Sequence, residues 1–170
     1  MEALWQRLDL WLRAALPLIL TLLMTLLEIG AWPLPYSGPV RPSLGFIALF
    51  YWSAHRPDLF SPAMAFAVGL LSDLINGGPT GLSALLFTAA HQIVWRQRGV
   101  FAGHSFLMLW FGFILAAVPM ALIQWGLVGL LNWRVAPLLP VLVQTILTIV
   151  LFPLPCWIFI HTQRAALSSN

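Results

Sequence analysis

Residues 105–131 read SFLMLWFGFILAAVPMALIQWGLVGLL, an apolar run without one charged side chain. As a helix it rises about 40 Å, more than the roughly 30 Å hydrocarbon core of a bilayer. The stretch therefore reads as a membrane-spanning helix, and the rest of the chain is read outward from it. Downstream, Asn132-Trp133-Arg134 is followed by a second long run from Pro137 to Ile160. Upstream lie three shorter runs, Ser43 to Ala54, Pro62 to Ile75 and Thr80 to Trp95, and before them a long one from Leu12 to Trp32. The prediction is an all-α, polytopic membrane helical bundle of about six transmembrane helices. Residues 1–170 form a single integral membrane domain.

Composition agrees. Hydrophobic residues make up 61% of the chain, charged residues 8%, and mean hydropathy is +0.91. A soluble domain carries about 25% charged residues to cover its surface. The spans use nearly all of the 170 residues, which leaves no stretch for a nucleotide-binding domain, and no glycine-rich phosphate loop occurs. The positive charge comes from eight arginines and no lysine. They are scattered rather than clustered, so they read as topology signals and not as a nucleic-acid footprint. Cys156, the single cysteine, lies in an apolar run and cannot close an intramolecular disulfide.

The connections have turn chemistry. Pro33, Pro35, Pro39 and Pro42 exclude helix from the segment after the first span, which reads as a loop. His55-Arg56-Pro57-Asp58 is a polar turn, Pro62 suits the first turn of a helix, and Asn76-Gly77-Gly78-Pro79-Thr80-Gly81 is a tight turn. The first run is longer than a signal-peptide core of roughly 7–15 residues, so it reads as an uncleaved anchor. The short middle runs pose a length problem. Twelve residues rise only about 18 Å, so these spans either recruit flanking apolar residues or remain short helices packed inside the bundle.

Six spans place Arg7, Arg13, Arg56, Arg96, Arg98 and Arg164 on one side, and Arg41 and Arg134 on the other. The positive-inside rule assigns the first side to the cytoplasm, with both termini inside. Trp11, Trp32, Trp52, Trp95 and Trp133 fall near span ends, where interfacial aromatics belong. Trp110, Trp125 and Trp157 lie deeper and read as packing residues.

Two acids, Glu28 and Asp73, lie within spans, near the non-cytoplasmic end. A charge at mid-bilayer costs about 2.5–3.5 kcal/mol on insertion scales, so both are candidates for function. A salt bridge or hydrogen-bonded cluster with Arg41 and Arg134 is one expectation. For Asp73 the structural alternative is bracing the Asn76-Gly77-Gly78 turn through backbone N–H groups. Small residues Ala65 and Gly69 precede Asp73 at steps of four, and Gly81, Ala84, Thr88 and His91 follow at steps of three and four. Such stripes let helices approach closely. The stripe ending in Asp73 is expected to present a groove to a partner's span, and His91 reads as a hydrogen-bonded interior histidine. Arg56, Arg96 and Arg98 are candidate cytoplasmic contacts, with anionic lipid or a cytoskeletal protein. Neither a zinc-protease motif nor an ATP, haem or flavin signature is present, and no cofactor or metal is expected.

One pattern is more specific. Arg41-Pro42, Phe50-Tyr51-Trp52, Arg56-Pro57, Ala65-Phe66, Gly69-Leu70-Leu71-Ser72-Asp73-Leu74 and Pro79-Thr80-Gly81-Leu82 follow one another in this order. Over residues 41–100 this resembles the bacterial rod shape-determining protein MreD family. Gly69, Asp73 and Gly81 fall on that family's pattern, and Arg56 and Pro57 match its cytoplasmic loop. The resemblance implies a non-enzymatic inner-membrane scaffold subunit of the cell-elongation complex. Its implied partners are MreC, a single-span protein with a periplasmic domain, and through it the MreB filament and the peptidoglycan glycosyltransferase and transpeptidase. It also implies a fold similar to the substrate-binding subunits of energy-coupling-factor transporters. The alternative function is accordingly a vitamin-binding subunit of such a transporter.

Overall fold

Helices end where prolines, glycines and polar turns interrupt the apolar runs. The computed structural model describes the backbone of residues 2–29, 32–34, 38–97, 99, 106–133 and 137–167, and the side chains of residues 15–29, 40–97, 99, 106–133, 137–159 and 161. Its helices are α1 (Glu2–Leu27), α2 (Leu44–His55), α3 (Pro62–Asn76), α4 (Leu82–Arg96), α5 (Phe106–Asn132), α6 (Leu138–Leu151) and α7 (Pro153–Leu167). α6 and α7 make one span, interrupted at Phe152 where Pro153 and Pro155 remove backbone donors. Two helices are long and apolar enough to cross a membrane, α5 and the run Leu138–Phe159.

The first span departs from expectation at both ends. α1 begins ten residues earlier than Leu12 and stops at Leu27, so Glu28 lies just past the helix rather than within it. The proline segment is more than a loop. β1 (Trp32–Leu34) and β2 (Gly38–Val40) pair antiparallel, with Pro33 opposite Pro39. An isolated two-stranded ribbon tolerates prolines because it has free edges.

The middle helices stay short, and α2 is enclosed by protein, whereas α3 and α4 leave apolar side chains such as Leu74, Leu85 and Ile93 exposed. Ten of the twelve residues of α2 are buried, from Gly45 to Ala54. A helix surrounded by other helices need not match the bilayer thickness. Aromatic rings join α2 to the later spans. Phe46 and Phe50 contact Phe113 of α5 at 5.6 and 5.3 Å between ring centroids, and Phe113 stacks on Phe152 at 4.3 Å. Trp52, expected at an interface, lies fully buried in this core, edge-on to Tyr51. Trp110 packs inward and donates to the Ile149 carbonyl at 3.0 Å. Trp157, expected to pack, is 64% exposed.

α5 has the opposite character to α2. Only Leu109, Phe113, Ala117 and Met120 are buried, a single stripe at steps of four and three that faces the core. Many of the remaining apolar side chains point outward, among them Leu107, Phe111, Leu115 and Leu122. A helix apolar on all sides, with most of its surface uncovered, is suited to lipid.

Candidate functional site

The hairpin from α3 to α4 is built on one residue. The main-chain carbonyl of Asp73 accepts N–H groups of Gly77 at 2.9 Å and Gly78 at 3.3 Å, which closes α3. Gly77 takes the left-handed conformation, φ 67°, that such a helix end favours. The Asp73 carboxylate reaches across the turn and accepts the N–H of Gly81 at 2.8 Å and of Ser83 at 3.1 Å. These donors belong to the start of α4. Gly81 sits at φ 96°, a conformation that costs a side-chain-bearing residue. The sequence predicts that the carboxylate braces the turn after α3, and it does hold the Gly81 N–H at the end of that turn. The N–H groups of Gly77 and Gly78 go to the Asp73 carbonyl, and the carboxylate also caps the next helix. An acid at a helix C-terminus opposes the local dipole, and the N-terminus of α4 offsets that.

Glu28 repeats the arrangement. Its Oε1 accepts the N–H of Gly45 at 2.7 Å, in the first turn of α2, and the side chain is 2% exposed. Each acid thus follows or ends one helix and caps the next. Among the described residues neither acid lies within ion-pair distance of Arg41. Arg41 donates from Nη1 to the Ile75 carbonyl at 2.9 Å, closing α3, and Arg134 lies outside the described residues. The rim is tied further by Ser43, whose N–H donates to Thr148 Oγ1 at 3.1 Å. Asn76 donates to the Ser72 carbonyl and hydroxyl.

Gly69 has an internal neighbour. A Cβ added there would lie 2.5 Å from Ala84 Cα and the Ser83 carbonyl oxygen. The stripe of Ala65, Gly69 and Asp73 is therefore covered by α4 of the same chain and is not an open groove for a partner. This corrects the expectation, because the matching small residues of α4 fill the groove first.

Toward the opposite end of α4, buried His91 pairs with Ser53 of α2, Nδ1 to Oγ at 2.7 Å. Ser53 Oγ also donates to the Leu49 carbonyl at 2.6 Å, which leaves Nδ1 as the donor in the pair. The contact joins α2 to α4 between two buried side chains. Arg56 pairs with Asp58 at 3.5 Å in a partly exposed contact. Arg96 is exposed at the end of α4, and the Arg98 side chain lies outside the described residues. Among the described residues no three His, Cys, Asp or Glu side chains gather.

Ser53, Gln124, Gln144 and Thr148 do not stand out as site residues from the sequence. A signal existed in the last three. They are polar residues in otherwise apolar spans, and Gln144 and Thr148 share one helix face.

These observations define a helical protein with two membrane-capable spans and a polar rim made of helix caps. The family profile described as rod shape-determining protein MreD matches residues 9–164. The chain belongs to the MreD family. The rod shape-determining protein MreD of Haemophilus influenzae is 28% identical over 98 residues, which is 58% of this chain and 58% of that relative. The aligned part is thus little more than half of the relative's length. No solved structure matches.

Proposed function

We infer that this chain is a non-enzymatic scaffold subunit that supports rod shape, acting as a multi-pass protein of the bacterial inner membrane. The observation that carries the reading is the family match over residues 9–164. The site geometry agrees with a scaffold. Both buried acids are engaged by backbone N–H groups, which is a structural use rather than a catalytic one. Both termini would be cytoplasmic. Arg56 and Arg96 end α2 and α4, while Arg41 binds the C-terminus of α3, so the arginine-rich side is opposite the acids.

The assembly would contain MreC and, through it or directly, the MreB filament and the peptidoglycan glycosyltransferase and transpeptidase. A single-span partner would lie against α5 and α6, whose outward faces are apolar. In lipid, shape matching and buried polar contacts would hold such a pair. Arg56, Arg96 and Arg98 would meet anionic lipid or the filament on the cytoplasmic side.

The second reading is a vitamin-binding subunit similar to those of energy-coupling-factor transporters. A cavity within the bundle, apolar for the most part with several polar residues in its wall, favours it. Depletion in the native host separates the two. Cells that widen into spheres despite a full vitamin supplement support the scaffold. Cells that keep their width and stop growing until vitamins are supplied in excess exclude it.

A further inference from the structure

A cavity of about 210 Å³ lies between α2, α3 and α4 on one side and α5 and α6 on the other. Its lining includes the amide residues Asn76, Gln124 and Gln144 and the hydroxyl residues Ser43, Ser83 and Thr148. Phe87 and Trp125 add aromatic surface. The cavity occupies the end of the bundle at which Glu28 and Asp73 cap their helices, since Ser43, Asn76 and Ser83 adjoin those caps.

The lining decides the ligand chemistry. No Asp, Glu, Arg or Lys is among the described lining residues. The two nearby carboxylates are taken up by backbone donors, and Arg41 by the Ile75 carbonyl. A charged guest would lose its hydration here without a counter-charge, which strongly disfavours it. A neutral guest with several hydroxyl or amide groups meets complementary donors and acceptors. Some of the wall is already occupied: Gln124 donates to Ser83 Oγ at 3.3 Å, and Thr148 Oγ1 donates to the Gln144 carbonyl while accepting from Ser43. The Gln144 amide, by contrast, has no side-chain hydrogen bond among the described residues. Gln144 is half-buried and is not among the buried unpaired groups of the described residues, so its amide is accessible and free to meet a guest or water. The space matches about seven water volumes, or one small ring.

We propose that this cavity is a binding site for an uncharged, ring-sized molecule bearing several hydroxyl or amide groups. Gln144 supplies its adjustable donor and acceptor, and Phe87 and Trp125 are among the residues that line its apolar side. The site does not depend on the scaffold reading, because binding is measured on the isolated protein.

The test uses the full chain in lipid nanodiscs and saturation-transfer NMR, a method that detects weak binding. The probe is N-acetylglucosamine, a neutral ring with hydroxyls and one amide. Its control is glucosamine at mildly acidic pH, the same ring with a charged amine. The wild type is expected to give a transfer signal with the neutral sugar and none with the charged one. Gln144→Leu, which keeps the side-chain bulk and removes the amide, should lose that signal, as should Ala121→Trp, which fills the cavity. Thermal unfolding confirms that each variant is folded. An absent wild-type signal, one equal to that of glucosamine, or one unchanged in both folded variants overturns the proposal and leaves a water-filled space.

Discussion

α2 and α5 are both apolar helices, yet they are used in opposite ways. α2 is twelve residues long and has ten of them buried. α5 is 27 residues long and has four buried. The short helix is part of the interior, and its neighbours supply the contacts that lipid would otherwise make. The long helix borders the bundle, with one stripe inward and the rest outward. Between these two helices length and burial run in opposite directions, since an enclosed helix need not match the bilayer and one facing lipid does. The helices α3 and α4, short but partly exposed, lie between them. Stability should therefore be concentrated in α2, α3 and α4, and the outer faces of α5 and α6 left free for other contacts.

The largest effect should come from the closest helix contact. Gly69→Leu forces side-chain atoms into the backbone of α4. The cost is about 3 kcal/mol or more, since backbone cannot yield as a flexible side chain does. Loss of folded protein in detergent, followed by size-exclusion profile and thermal unfolding, is expected. A wild-type melting curve would mean that the stripe is open after all.

Asp73→Ala removes the cap and strands the N–H groups of Gly81 and Ser83. The expected loss is roughly 2 kcal/mol. Asp73→Asn keeps one acceptor oxygen and should lose about half as much. Equal melting temperatures for the two variants would show that charge, and not hydrogen bonding, carries the contribution of Asp73.

Ser53→Ala leaves His91 without its partner in the interior. A loss of about 1 kcal/mol is expected, and His91→Ala in the same background should add little if the two residues act as a pair. Full additivity in that double-mutant cycle would remove the coupling between α2 and α4.

The smallest effect belongs to the outer helix. Leu115 is 60% exposed, and Leu115→Ala should change stability by less than about 0.5 kcal/mol. Pull-down of a single-span partner by the same variant gives a second readout. Weakened capture at unchanged stability would sharpen the contrast between the two regions. A clear drop in melting temperature would break it.

Much of the helix pattern was legible beforehand. Pro62, the Gly77-Gly78 pair and the arginines ending α2 and α4 marked boundaries to within two residues. Such signals are local, because a proline or a left-handed glycine acts on the turn that contains it. The ends of α1 were misjudged because apolarity marks where lipid begins and not where a helix does. Glu28 and Asp73 were recognisable as unusual, since acids are rare in apolar runs. Their partners were not, because Gly45 lies 17 residues from Glu28 and the ribbon of β1 and β2 intervenes.

From sequence alone came the membrane class, the order of the helices and the resemblance over residues 41–100 that the family match extended to 9–164. These depend on composition and short-range spacing, which the chain carries in any conformation. Tertiary structure decided that Asp73 opens α4, that Gly69 faces Ala84, that Ser53 meets His91, and that Gln124, Gln144 and Thr148 converge on one cavity. Each of those facts joins residues from different helices. Hydropathy reports how apolar a helix is, while the choice of neighbour depends on side-chain shape and on which backbone groups remain unpaired once the helices have packed.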